Sequence, residues 1–332
     1  MKQQAWRHDL AAYAARLPAP TRFADVDTRR HVNNIAVYGL HCDARLRWLI
    51  ENTGDDTGAS PAPSPLWPAG TLRLKPRHSR TEFWLECHYP DPVTAGVRLL
   101  GLAFDRATVA TGLFQQGLCV GMQQTTLGAW APDLSTPLPL PAGFAATLSR
   151  HVLPAENLPP TGLPSTSLPP DAVKRRFYPV EATFSARYGD FDADGCTSEA
   201  AVLRGIEQAR AAVLQTAIAA AGGNAEQDWV NLLVARIDLH WAHHRAPPKT
   251  WALAGAVLSV GRSSVLLRVA MFDGERLHAM ADNVMVYVAP VVATPPAALE
   301  PAAELAAAAP TAREPLPPPL RDALQALAWR GR

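Results

Sequence analysis

Residues 22–49 read RFADVDTRRHVNNIAVYGLHCDARLRWL, and residues 187–214 read RYGDFDADGCTSEAAVLRGIEQARAAVL. Set together without a gap, they share Arg22/Arg187, Asp25/Asp190, Asp27/Asp192, Ala36/Ala201, Val37/Val202, Ala44/Ala209, Arg45/Arg210 and Leu49/Leu214. Eight identities in 28 positions compare with roughly two expected by chance, and an internal repeat of this kind decides the architecture before any local signal does. Each copy carries an aromatic-x-Asp-x-Asp run, which the pattern places at the end of a short strand (Thr21–Val26 and Thr183–Gly189) just ahead of an amphipathic helix. A carboxylate is thereby set beside a helix N-terminus, where free N–H groups and the positive end of the dipole can hold an oxyanion.

The repeat continues downstream. Residues 93–114 match 251–272 in spacing and apolar pattern, and the loops Gln115-Gln116-Gly117 and Asp273-Gly274-Glu275 follow as hairpin turns. Met122 then aligns with Met280. The offset between copies is 165 at the helix and 158 at these strands, so about seven extra residues belong to the first copy, expected in the polar, Pro/Gly-rich loop Asn52–Gly70. The tails also correspond, PLPLPAGFAATL at 137–148 and PLPPPLRDALQAL at 315–327, and Leu320–Trp329 reads as a terminal helix that docks back.

Helical spacing predicts a helix over Asn34–Asn52, capped by Asn33 or Asn34, with Val37, Leu40, Ala44 and Trp48 as its apolar stripe. The second helix is expected over Ser198–Ala221, ending at Gly222-Gly223, with Val202, Ile206, Ala209, Val213 and Leu214 buried. Antiparallel strands follow each helix. One long helix against a curved antiparallel sheet is an α+β layer architecture.

At 332 residues the chain fits two units of about 150 residues. The expected organisation is an N-terminal unit over 1–149, a Pro-rich connector over 150–178, and a C-terminal unit over 179–332 that ends in an Ala/Pro-rich tail. A net charge of +1 offers no basic field for nucleic acid. The four cysteines, Cys42, Cys87, Cys119 and Cys196, are scattered without a CxxC pair, which disfavours a zinc site or a disulfide framework. There is no run of 18 apolar residues and no apolar signal core, so the expectation is a cytoplasmic protein with no membrane partner. His240, His243 and His244 lie together, but no Cys or Glu stands near them at ligand spacing, and no metal is expected. No Gly-rich phosphate loop opens a helix, so no cofactor is expected. A Gly-x-Ser-x-Gly elbow is absent as well.

The run Phe23-Ala24-Asp25-Val26-Asp27, followed by His31-Val32-Asn33-Asn34 and a helix carrying Ala44-Arg45, resembles the 4-hydroxybenzoyl-CoA thioesterase family of hotdog-fold proteins. Gly261-Arg262-Ser263-Ser264 and the Pro-Leu-Pro tails are similar to that family too. Two copies imply a double-hotdog chain, an internal pseudo-dimer like acyl-acyl-carrier-protein thioesterases, with the active site between units.

The resemblance implies that the second Asp of the pair is the catalytic carboxylate: Asp27 in copy one, Asp192 in copy two. It puts the N–H donor to the thioester carbonyl at Asn34 or Glu199. In the plant acyl-carrier-protein branch an Asp, an Asn two residues on and a His four residues on act together. Copy one keeps Asp27 and His31 but has Arg29 between them; copy two has Asp192, Asp194 and Cys196. Another branch uses a helix Glu, matched by Glu207 in copy two and replaced by Cys42, next to Asp43, in copy one. Asn33, Arg262, Ser263 and Ser264 are the candidate substrate-binding residues, the latter three toward a CoA phosphate.

The implied function is hydrolysis of acyl-CoA or acyl-carrier-protein thioesters. The favoured site combines Asp27, His31 and the Asn34 backbone N–H, with Glu207 reaching across from the other unit and Asp192 as a weaker second site. The competing functions are a non-catalytic acyl-thioester-binding protein and a hotdog dehydratase or hydratase; the Gly-Asp-x-Asn-Pro-x-His-like run of the latter is absent. The pseudo-dimer is expected to be intramolecular, with further homo-oligomers left open. Asp25 reads as a turn residue rather than a reactant.

Overall fold

Each half of the chain winds one long helix inside a curved antiparallel sheet. The computed structural model describes residues 4–53, 73–131, 133–134, 136–152, 167–224, 231–288 and 313–331. In the first half these are β1 (Ala15–Pro18), α1 (Asn34–Thr53), β2 (Arg73–Phe83), β3 (Val93–Ala103), β4 (Arg106–Gln115), β5 (Leu118–Trp130), the short β6 (Pro137–Leu138) and α2 (Ala142–Ser149). The second half repeats them as β7 (Val180–Ser185), α3 (Glu199–Ala220), β8 (Leu232–Trp241), β9 (Thr250–Val260), β10 (Ser264–Asp273), β11 (Arg276–Tyr287) and α4 (Pro318–Ala326). Both are hotdog units.

Among the described residues the strands join in one sheet, ordered β1-β3-β4-β5-β2-β8-β11-β10-β9-β7, with β6 on β5. The seam between units is the β2–β8 pair, where His78 lies opposite His240, Arg80 opposite Asp238 and Glu82 opposite Arg236. Arg80 and Asp238 are equivalent at the offset of 158, so a local twofold passes between them. Asp238 takes Arg80 and, at 2.8 Å, Arg236, closing the outer face of the seam with charge pairs. The seam joins the two edges that would otherwise stand unpaired.

The helix spans follow the sequence expectation. Asn33 accepts the Ala36 N–H at 2.8 Å and Ser198 accepts that of Ala201 at 3.1 Å, each as the cap of its helix. Gly222, with φ 76°, ends α3. Trp48 and Leu49 of α1 pack on Val97, Leu99, Val109 and Leu113 of β3 and β4, and α2 closes the layer with Phe144 and Leu148. Val202, Ile206, Ala209 and Val213 of α3 pack on Leu253, Val269 and Met271, with Leu320 and Leu324 of α4 behind them. Tyr38 and Phe83 of the first unit are also part of this second core, so the cores meet across the seam.

One expectation is overturned. Thr21–Val26 is not a strand, and Thr183–Gly189 is strand only as far as Ser185: the edge strands are Ala15–Pro18 and Val180–Ser185, and Phe23–Asp25 and Tyr188–Asp190 form single 3-10 turns. The reason is local. Asp25 accepts the Arg22 N–H at 2.9 Å and its guanidinium at 2.7 Å, and Asp190 accepts the Arg187 N–H at 2.8 Å. Such side-chain bonds offer the backbone an alternative to the sheet ladder. The repeat also reaches further back than its signature. Tyr13 and Tyr178, again 165 apart, each cover the outer face of their own sheet, on Phe114 and Phe272. Leu168–Tyr178, at the end of the Pro-rich segment, belongs to that cover. The extra residues assigned to Asn52–Gly70 fall mostly outside the described residues, but the helices before them, α1 and α3, keep the offset of 165, and the strands after them, β2 and β8, that of 158. The Ala/Pro-rich tail before Arg313 also lies outside them.

Cutting the chain between Val152 and Ser167 should leave the halves associated, since the seam pairs five residues of β2 with five of β8 and carries cross-unit ion pairs. The cut protein is expected to elute from a sizing column at the intact position; two separately eluting halves would contradict the shared sheet.

Candidate active site

The two Asp loops are built alike. Asp27 donates its N–H to the His31 carbonyl at 2.9 Å, and Asp192 does the same to Cys196 at 2.7 Å. The Val32 N–H bonds the Cys87 carbonyl at 2.7 Å and the Thr197 N–H bonds that of Arg245 at 2.8 Å, tying each loop to the strand end beside it. Asn33 and Ser198 return to the carbonyls of Asp25 and Asp190 at 2.8 Å. The turn closes through a left-handed residue, Gly195 with φ 72° in one loop and Arg30 with φ 66° in the other. Only the second is strained, by about 1 kcal/mol for a residue with a Cβ. Each loop thus delivers its Asp beside the open first turn of the following helix. The cap takes the third N–H, leaving those of Asn34 and Ile35 at the start of α1 and of Glu199 and Ala200 at the start of α3.

The side chains then diverge. Asp27 Oδ1 accepts the Arg29 N–H at 2.8 Å, and its Oδ2 lies 3.2 Å from His31 Nδ1. His31 is mostly buried, and its Nε2 faces Glu86 Oε1 at 3.9 Å, where Arg29 also points. Asp192 Oδ1 instead accepts two N–H groups, from Asp194 and Cys196 at 2.9 Å, and its Oδ2 is held at 2.7 Å by Lys75 Nζ. Lys75 also meets Asp194 at 2.6 Å, and Arg73 meets Asp194 at 2.6 Å. Both cations come from β2, across the seam. Their twofold counterparts beside the Asp27 loop are Asn231 and Leu233, so no cation stands at those positions there.

Behind the α3 start the interface is filled by the chain itself. Glu199 turns its carboxylate inward, where Arg45 Nη2 reaches it at 2.6 Å, Cys42 Sγ at 3.2 Å and the Tyr38 hydroxyl at 3.3 Å. Arg45 Nη1 goes on to Gln123 and Thr125 at 2.9 Å. Burial raises the Glu199 carboxyl pKa, but the Arg45 charge and the three donors outweigh it and hold it below the usual range. Burial drives the Cys42 thiol up, and Glu199 drives it further. Burial also pushes the Cys196 thiol up to about 11, so it stands as a neutral thiol where copy one has His31. Behind the α1 start the counterparts are Asn34, Leu203, Glu207 and Arg210. Glu207 is about one-third exposed, and its partner is Arg210 at 3.4 Å on its own helix.

Of the other candidates, Asn33 spends its side chain on the α1 cap. Asp25 and Asp190 are buried turn closers; their carboxyls are held low, Asp25 by Arg22 and Asp190, against its burial, by the Arg187 N–H and by Arg204. Arg262 and Ser263 form the turn before Ser264 at the start of β10, where Tyr287 and Leu316 donate to the carbonyls of Ser263 and Arg262. That turn lies at the end of the second sheet nearer the Asp27 loop. His240 stacks on His78 on the outer face, with ring centroids 4.5 Å apart, while His244 Nε2 lies 2.8 Å from the Pro76 carbonyl near the Asp192 loop. Sequence reasoning missed Lys75, Arg73 and Glu86, and it used Arg45 only as part of a signature.

The polar interior under α1 makes a pH prediction. His41, fully buried with Nδ1 2.8 Å from Thr111 Oγ1, has its pKa pulled down to about 3 by burial, with Arg45 adding to the shift. In the unfolded chain a histidine protonates near 6.5. Between those values the unfolded state binds the extra proton, so stability is full above about pH 6.5 and falls as the pH drops toward 3. At pH 5 this residue alone should cost about 2 kcal/mol. Urea unfolding at pH 7 and pH 5 should show His41→Asn losing that much less than the wild type; an unchanged pH dependence would contradict it.

No family model matches the sequence, and no curated protein matches it. Solved structures do. A 12:0-ACP thioesterase from Umbellularia californica superposes with a TM-score of 0.65 at 8% identity, over 82% of this chain and 94% of that one. A putative oleoyl thioesterase from Lactobacillus plantarum gives 0.61 at 9% identity, over 83% and 96%. An acyl-ACP thioesterase from Bacteroides thetaiotaomicron gives 0.57 at 11% identity, over 82% and 97%. The likeness spans both units and shows the fold.

Proposed function

We propose that this chain hydrolyses acyl thioesters, of CoA or of an acyl carrier protein, at one site formed by the Asp27 loop, the start of α1 and the facing surface of α3. The observation that carries the reading is the contrast between the two loops. Both set an Asp beside a helix start, but Asp27 has a histidine partner and, among the described residues, no ion pair to a Lys or Arg from across the seam, whereas Asp192 is paired with Lys75. The names of the superposing structures support the same reaction type.

In this reading the thioester carbonyl lies on the Asn34 N–H at the positive end of α1. Asp27 takes a proton from water as the water oxygen bonds to the carbonyl carbon. The tetrahedral oxyanion is held by the N–H; it collapses, the C–S bond breaks, and the thiolate recovers a proton from the Asp27–His31 pair. His31, between Asp27 and Glu86, keeps the carboxylate oriented. Glu207, on α3 of the other unit and paired there with Arg210, is the candidate second carboxylate of this site. Arg262, Ser263 and Ser264 are assigned to the CoA phosphate, for which a guanidinium and hydroxyls are suited.

The test is release of free thiol, read with a thiol-reactive dye, over a panel of acyl-CoAs and an acyl carrier protein thioester. Turnover is expected. Tight binding without thiol release would make the chain an acyl-thioester binder and reject hydrolysis.

A further inference from the structure

We propose that the Asp27 site takes a short acyl group with a carboxylate at its far end, and that Arg210 is the residue that selects it. This rests on the thioesterase reading of that site and adds a substrate class to it.

The two units answer each other across the twofold, and one of them supplies an internal stand-in. Behind the α3 start, Arg45 Nη1 bonds Thr125 and its Nη2 takes the Glu199 carboxylate at 2.6 Å. Behind the α1 start, Arg210 adopts the matching arrangement, with Nη1 toward Asn283, the counterpart of Thr125. What it lacks is the carboxylate from the helix start, because Asn34 stands where the other unit has Glu199. Its bonds to Asn283 and to Glu207 are both 3.4 Å, at the long end of what counts as a hydrogen bond. Arg210 is nonetheless only 5% exposed. Burial lowers its pKa, and the neighbouring Glu207 charge only partly offsets that. Around it Leu203 replaces Tyr38 and Ala281 replaces Gln123, so two of the polar groups that crowd Arg45 are gone.

An acyl chain bound with its carbonyl on the Asn34 N–H would bring its far end to Arg210 Nη2, the place the Glu199 carboxylate takes on Arg45 in the other unit. The Glu199 carboxylate is three bonds from its own helix backbone, which sets the length of the acyl group at roughly four to five carbons. A methyl end would leave a desolvated guanidinium facing hydrocarbon, which is unfavourable. A carboxylate end matches the fork of the guanidinium and forms charge-assisted bonds there. Glu207 is the other charged group facing Arg210; it is loosely held and partly exposed, so it yields its place on Nη2 and turns to solvent.

The experiment compares glutaryl-CoA with valeryl-CoA, which has the same length and ends in a methyl, and with lauroyl-CoA. Wild-type kcat/KM is expected to favour glutaryl over valeryl by on the order of tenfold or more. Arg210→Met should reverse the preference, and Asn283→Leu should weaken it, with melting curves reporting whether each variant folds. Wild-type protein that prefers valeryl or lauroyl overturns the inference without any variant, as does an Arg210→Met that folds and keeps the glutaryl preference. Calorimetric binding of the two ketone analogues, with methylene in place of sulfur, separates this inference from the parent reading. If no thioester is hydrolysed, hydrolysis fails as the function, while a glutaryl preference in binding still supports Arg210, and equal binding of the two analogues rejects it.

Discussion

Asp27→Asn is expected to lower thioester hydrolysis by at least about a hundredfold while leaving the fold intact. The loop should survive because the amide oxygen can still accept the Arg29 N–H now bonded to Asp27 Oδ1, and the amide nitrogen can donate to His31 Nδ1 in the tautomer protonated at Nε2. The negative charge and the basic oxygen are lost, and both are needed to activate water. Asp192→Asn makes the complementary test. Its carboxylate is already taken up by two N–H bonds and an ammonium, which compete with a substrate water for its oxygens. Activity per folded molecule should fall less than about threefold, within what a surrounding repacking produces, while stability declines because Lys75 is left with Asp194 alone. Equal losses at both positions would mean two working sites or one shared one. A larger loss at Asp192 would reverse the assignment.

The contrast behind that test was only half readable in the sequence. The repeat, the helix spans and the caps come from local periodicity and short-range chemistry, and Asn33, Ser198 and Gly222 stand where those rules put them. The turn at Asp25 was misread because an aromatic-x-Asp-x-Asp run between apolar residues alternates like a strand; the Arg22 pairing that bends it out of the sheet is a side-chain effect that alternation does not register. Arg45 could have been found. Tyr38, Cys42, Arg45 and Leu49 recur at helical spacing on one face, and a cation in such a stripe must have a buried partner. Which partner was beyond reach, since Glu199 lies in the other unit. The Lys75–Asp192 pair is the clearest case. Its members are 117 residues apart and meet only because the seam sets the start of β2 against the second Asp loop. An Asp held by a lysine therefore looked the same in sequence as one paired with a histidine.

Arg45→Met should destabilise the protein by about 2–4 kcal/mol, somewhat below the 3–5 usual for breaking an enclosed ion pair, because about a quarter of the Glu199 side chain reaches the surface. The substitution fills similar volume but strands the Glu199 carboxylate with only the Tyr38 hydroxyl and the Cys42 thiol as donors. It also leaves Gln123 and Thr125 without the guanidinium they share. The carboxyl pKa, now held low chiefly by Arg45, should rise, so the variant recovers stability as the pH falls and Glu199 protonates, against the trend set by His41. Adding Glu199→Gln removes the stranded charge. The double variant should therefore be more stable at pH 7 than Arg45→Met alone, although it has lost two groups rather than one. Urea unfolding of the four proteins of that cycle reads the coupling directly. An Arg45→Met protein within about 0.5 kcal/mol of the wild type, or a double variant less stable than either single one, would remove the pair from the forces that join the units. Activity at the Asp27 loop gives the second readout. If the Glu199 network serves only to fill the interface behind α3, folded Glu199→Gln protein keeps near-wild-type turnover, because its carboxylate lies behind the other helix start.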